Sequence, residues 1–161
     1  MLEETTLATF YRGWEAYQGL LATVIAPLSP EQLALRAAPA LRSIGVIAAH
    51  IIAARVWWFH FILGEGSADL APLVRWDDDD APPRTAAELV GGLETTWNLV
   101  QDALQRWTSD DLAQSVRRQV RGQEREHMRG WVVWHLIEHD LHHGGELSLT
   151  LGMHGLTAPD L

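Results

Sequence analysis

Apolar residues recur every three or four positions over four separate stretches of this chain, and that period calls for amphipathic helices rather than for a sheet. In the first stretch Leu7, Phe10, Trp14, Tyr17, Leu21, Val24 and Leu28 predict a helix over about residues 5–26, with Thr5 or Thr6 as its N-cap. Ser29-Pro30-Glu31-Gln32 reads as an N-cap, a proline at the first helical position and an acidic first turn, opening a short helix that ends before Pro39. Ser43 opens the second long helix, about 43–63, on Ile44, Ile47, Ile51, Ala54, Trp58 and Phe61, until Gly64 and Gly66 stop it. Leu89, Val90, Leu93, Trp97, Val100, Leu104 and Trp107 place the third over about 85–107, and the fourth covers about 127–152.

Between these helices lie two polar links, about 64–84 and the Arg- and Gln-rich stretch before residue 127. No stretch shows strand-like alternation, so the expectation is an all-α four-helix bundle without a sheet, one domain over residues 1–161. Links of roughly 20 residues exceed what an antiparallel hairpin of neighbours needs, so they serve as crossovers and let the second and third helices run parallel. The four aspartates at 77–80 lack the alternating ligand spacing of a calcium loop and read as a solvated turn.

Charge narrows the function. All 12 cationic side chains are Arg, none is Lys, and 21 acidic residues leave a formal net charge of −9, which opposes binding to nucleic acid or to an anionic membrane surface. Apolar runs are broken by Arg, His or Gly, and no basic, apolar leader is visible at Met1-Leu2-Glu3-Glu4, so the expected setting is cytoplasmic. With no Cys and no Lys, thiolate, Schiff-base and phosphate-loop lysine chemistry are absent from the chain. Histidine and carboxylate chemistry remain.

The fourth helix concentrates the histidines. At about 100° per residue, setting His139 at zero puts His143 at about +40°, His135 at about −40°, Val132 at about +20° and Glu146 at about −20°, while His142 turns further aside. Two imidazoles at i, i+4 can converge on one cation. His50 sits in the apolar sector of the second helix with Val46, Ala54, Trp57 and Phe61. Taken singly, an inward His is most often a core residue satisfied by a hydrogen bond; three in one small bundle point to a metal site between helices. His60, His127 and His154 read as surface residues. The zincin reading of His139-Asp140-Leu141-His142-His143 lacks a third ligand downstream and a neighbouring strand. The di-iron reading lacks a second Glu-x-x-His beside Glu124-Arg125-Glu126-His127.

Ser43-Ile44-Gly45-Val46-Ile47-Ala48-Ala49-His50, followed by Arg129-Gly130-Trp131-Val132-Val133-Trp134-His135-Leu136-Ile137-Glu138-His139-Asp140-Leu141-His142-His143-Gly144-Gly145-Glu146-Leu147, resembles the DinB/YfiT-like family of small metal-binding four-helix bundles. The resemblance spans nearly the whole chain. It implies an up-down-down-up bundle, often dimeric, with His50, His139 and His143 as ligands of a divalent metal such as zinc or nickel. It also implies a thiol-dependent S-transferase or isomerase using a low-molecular-weight thiol such as bacillithiol, mycothiol or glutathione. Where the family commonly carries Arg-Gly-Gln after the paired histidines, this chain has Gly144-Gly145-Glu146, which argues against a strongly anionic substrate contact there.

Three neutral imidazoles leave a coordination position open, as in catalytic zinc sites. Glu146 or Asp140 could act as a base or orient a ligand, with Glu146 the candidate catalytic residue, and Trp57, Phe61 and Val132 are candidate walls for a small apolar substrate. A metal-dependent hydrolase and a non-enzymatic metal-binding module are the alternatives. Trp134, about 140° from His139, points away from the site and suggests a homodimer contact.

Overall fold

The computed structural model describes residues 7–160. Its helices are α1 (Leu7–Phe10), α2 (Arg12–Ile25), α3 (Pro30–Leu33), α4 (Ile44–Val56), α5 (Ala86–Arg106), α6 (Ser109–Leu112) and α7 (Arg129–Met153). The expected N-cap at Thr5 or Thr6 lies outside the described residues. Three of the other starts obey local chemistry: Ser29 and Gln32 form a capping box on α3, the Ser43 hydroxyl accepts from the Val46 N–H on α4, and Thr85 with Glu88 forms a second box on α5.

Pairings across the bundle give its topology. Trp14 meets Trp97 and Glu15 accepts from Gln101, whereas Gln18 shares Arg55 with Leu93, so α2 and α5 run antiparallel. On α7, Asp140 meets Trp14, and Gly144 meets Tyr17, so α2 and α7 run parallel. His50 meets His139 and His143 while Trp58 meets Trp131, so α4 and α7 run antiparallel. The order is up-down-down-up, with α4 and α5 parallel and the link between them acting as the crossover.

Beyond Val56 the α4 backbone continues as a π-helical turn, Trp57–Ile62. Ile44–Ile62 is long and apolar enough to cross a membrane, with mean hydropathy 1.5, but 61% of it is buried inside the protein, as in a core helix. The first link holds a 3₁₀ segment, Ala68–Arg75, whose Leu70 is buried.

One expectation fails. The second polar link contains a β-hairpin: β1 (Ser115–Val120) pairs antiparallel with β2 (Gln123–Met128) through the turn Arg121-Gly122, with φ of 50° and 77°. Positive φ at both central residues marks a primed hairpin turn. The strands carry too few apolar residues to alternate visibly; Val116, Arg118 and Val120 turn to the protein, and Arg118 lies 4.3 Å from the centroid of Trp58. The hairpin is an appendage of the bundle, which stays all-α in its core.

That core has two apolar clusters. One gathers Leu21, Ile25, Ile44, Ile52, Leu89, Leu93, Leu147 and Leu151, and the other Val56, Phe59, Val100, Leu104, Val132, Val133 and Leu136. Where they meet, a fully buried ion pair crosses the bundle. Arg55 donates to Asp140 from Nε (3.0 Å) and Nη2 (2.7 Å) and to Gln18 from Nη1 (2.8 Å), while Trp14 Nε1 donates to Asp140 at 2.7 Å. α2, α4 and α7 are thereby held in one register.

Candidate metal centre

The polar layer sets the site beside it. Asp140 faces the bundle axis, so its neighbours on α7, His139 and His143, fall at the margin of the core, opposite His50 on α4. The histidine face is therefore not the most buried face of α7, which follows Leu136, Asp140 and Leu147. Val132 is fully buried and cannot line a substrate site, contrary to expectation. Trp57 and Phe61 form a half-exposed tilted pair at 5.9 Å.

His50, His139 and His143 do come together. Their ring centroids lie 4.8, 4.6 and 4.4 Å apart, and one nitrogen from each falls within 4.8 Å of the others. His135 lies outside this group, 6.2 Å from His139 and stacked instead on Trp131 at 4.8 Å, and His142 is exposed. Of the residues read as surface histidines, His127 stacks on Trp131 at 4.1 Å.

Carboxylates fix which nitrogens face the centre. Asp77 Oδ2 lies 2.6 Å from His50 Nδ1 and Glu146 Oε2 lies 2.7 Å from His143 Nδ1. A carboxylate only accepts, so both Nδ1 atoms carry protons and both Nε2 atoms present lone pairs. Asp77 is thus not part of a merely solvated turn: the acidic run folds back and its first residue grips a centre residue. Sequence periodicity could not reveal this, because the contact spans 27 positions through an irregular link.

The third imidazole carries the clearest sign of an incomplete site. His139 Nε2 lies 3.1 Å from His50 Nε2, while buried His139 Nδ1 and Asp140 Oδ1 both lack partners among the described residues and stand 3.9 Å apart. With His50 Nε2 committed as an acceptor, His139 donates across that 3.1 Å. A cation held by these residues would take the His139 Nε2 lone pair, which would leave the His139 proton on Nδ1, on the side of the unpartnered Asp140 oxygen. Two imidazoles on one tetrahedral zinc, at about 2.0–2.1 Å each, hold their nitrogens about 3.3 Å apart, close to what is seen. The residues therefore fit a metal ion.

Electrostatics keep His143 neutral. Burial pushes the His143 pKa down to about 4, and any charge on His139 and His50 acts the same way against the pull of Glu146. Burial is the strongest single influence on Asp140 and raises its pKa, but the charge of Arg55 and the surrounding hydrogen-bond donors, Arg55 and Trp14 among them, together outweigh it and hold the carboxylate below its usual range. Burial likewise works to raise the Glu146 pKa, yet its hydrogen bond with His143 leaves it below the usual carboxylate range.

Gly144 explains the departure after the paired histidines. A Cβ there would overlap the Tyr17 hydroxyl, so the phenol occupies the space a side chain at 144 would need. Burial, and then the charge of Asp140, raises the Tyr17 pKa and keeps that hydroxyl protonated.

Fold and site together define a helical bundle with a three-histidine centre, able to hold a metal ion, between its second and fourth long helices. The chain belongs to the DinB family, which it matches over residues 1–161. It is similar in fold to a DinB-like protein from Bacillus cereus ATCC 10987, whose crystal structure at 2.01 Å superposes with a TM-score of 0.74 at 24% identity, covering 99% of each chain. None of the curated proteins matches the chain.

Proposed function

We propose that the protein is a metal-dependent S-transferase, with zinc or nickel held by His50, His139 and His143 and a low-molecular-weight thiol as cosubstrate. The observation that carries this reading is the set of three imidazole nitrogens converging with no carboxylate directed into the same centre: Asp77 and Glu146 approach from behind, on Nδ1. Such a donor set suits a metal with a position left for an incoming ligand, where the ion supplies the acidity that turns a thiol into a thiolate near neutral pH.

The chain's own residues prepare that step. Asp77 and Glu146 hold two rings in the tautomer that offers Nε2, and burial keeps His143 neutral. Glu146, anchored on His143, is a positioning residue in this reading, and its depressed pKa makes it a weak base. The thiol loses its proton to solvent, its sulfur forms a C–S bond to an electrophilic carbon, and that carbon releases its leaving group. Because the chain has no Cys, the sulfur arrives from outside. Half-exposed Trp57 and Phe61, along the same face of the second long helix, suit an apolar electrophile.

The test is metal-loaded protein with bacillithiol, mycothiol, glutathione or 2-mercaptoethanol and an electrophilic aryl halide, against His50→Ala. Faster thiol consumption by the intact centre supports transfer. Consumption equal to that of the variant, with ester and amide substrates turned over instead, replaces it with a hydrolase; inertness to both leaves a metal-binding module. The same reading extends to a homodimer through the outward face of α7, where Trp134 is 61% exposed, and sedimentation at micromolar concentration tests it.

A further inference from the structure

Two cavities lie beside the carboxylates that hold His50 and His143, and Arg42 is among the residues lining both. A cavity of about 490 Å³ is walled by Val46 and Ala49 of α4, by Trp76 and by Asp77, the residue that holds His50. A smaller one of about 190 Å³ includes Glu146, the residue that holds His143. Arg42, just before α4, faces both, and its charge helps to keep Glu146 ionised.

Arg42 makes no hydrogen bond or ion pair with the described residues, unlike the other two arginines of the larger cavity. Arg36 donates to the Leu41 carbonyl. Arg84 pairs with Glu88 and stacks 4.6 Å from the Trp76 centroid, its buried Nε lacking a partner. In a protein of net charge −9, three arginines balance three aspartates around this cavity. The acidic wall, Asp77 to Asp79, is partly committed: Asp77 to His50 and Asp78 to Arg75. A volume near 490 Å³ is within the range of small-ligand sites.

We infer that this cavity is an anion subsite of the metal centre, in which Arg42, with Arg84, binds a carboxylate of the thiol cosubstrate. The inference rests on the thiol reading above and deepens it: the protein selects carboxylate-bearing thiols over neutral ones. The expectation against an anionic contact followed from Gly144-Gly145-Glu146 on α7, whereas Arg42 stands just before α4. Arg42 acts in binding and positioning, while the reacting sulfur stays with the imidazoles.

The experiment uses the full chain loaded with Co(II), whose thiolate charge-transfer absorption reports sulfur binding directly. Glutathione, its diethyl ester and 2-mercaptoethanol are titrated into the intact protein and into Arg42→Ala. Arg42 is exposed, so deleting its guanidinium from a carboxylate pair costs about two- to fivefold in affinity. Glutathione is expected to bind about two- to fivefold more tightly than its ester to the intact protein, and Arg42→Ala to abolish that difference while the ester binds both proteins alike. Equal affinities for acid and ester, or an equal loss for all three thiols in the variant, overturns the subsite. If no thiol produces the absorption, the thiol reading fails by itself. S-methylglutathione, which cannot form a thiolate, then decides the subsite by calorimetry: Arg42-dependent binding upholds it and no binding overturns it.

Discussion

Residues that do not face the centre control it. Asp77 makes one hydrogen bond to His50, and that bond sets both ring orientation and tautomer. Removing the carboxylate in Asp77→Ala frees the ring to rotate and to protonate at Nε2, and such outer partners typically contribute about 10–100-fold in metal affinity. Competition with a chromophoric chelator should show a loss of about that size with the fold intact by circular dichroism; unchanged affinity would return the acidic run to the solvated turn of the sequence reading. Gly144 acts through absence. Gly144→Ala drives a methyl into the Tyr17 hydroxyl, and because Tyr17 is buried among core side chains the clash should cost about 1–3 kcal/mol in urea unfolding. Tyr17→Phe in the same background should recover part of that loss by removing the clashing oxygen.

Elements were legible in proportion to the regularity of their burial. The long helices expose one stripe and bury another, and capping residues at Ser29, Ser43 and Thr85 mark helix starts, so the extent of the helices and the caps at Ser29 and Ser43 follow from local pattern. The hairpin escapes because its first strand buries only every second residue, and one of these is Arg118, held by Trp58 rather than by an apolar core. At the site, His139 and His143 were legible because i, i+4 geometry is local, and His50 because it interrupts an otherwise apolar helix. Asp77 and the Arg55–Asp140 pair were not, since each gains its role from a contact across elements. The buried pair gives this a measurable form. Arg55→Met leaves Asp140 charged and unpaired between the two apolar clusters, which should cost about 3–5 kcal/mol. Arg55→Met with Asp140→Leu removes both charges and should restore most of it; a double variant as unstable as the single would mean the pair is not the source of the loss.

At the scale of the whole molecule, the centre stores a tension that pH exposes. Three imidazoles are packed within hydrogen-bond or van der Waals distance of one another, and a proton on any of them repels the others. For His143 the folded pKa is about 4, against about 6.5 for the unfolded chain. The sign follows from proton uptake. Between those values the unfolded state binds a proton that the folded state refuses, so the metal-free protein loses stability as pH falls from about 6.5 to about 4. Burial lowers the pKa values of His127 and His135 as well, which adds to the loss in the same direction. Asp140 and Glu146, held below their usual values, add theirs only at more acidic pH, when the unfolded carboxylates begin to protonate. Urea unfolding of metal-free protein at pH 7 and pH 5 should therefore show a lower midpoint at pH 5, and His143→Gln should flatten the difference. Bound metal competes with protons for the same lone pairs, so it should raise stability at pH 7 and be released as the pH falls. Stability that is flat from pH 7 to pH 5 in the metal-free protein would mean that the three rings do not share one low-dielectric centre.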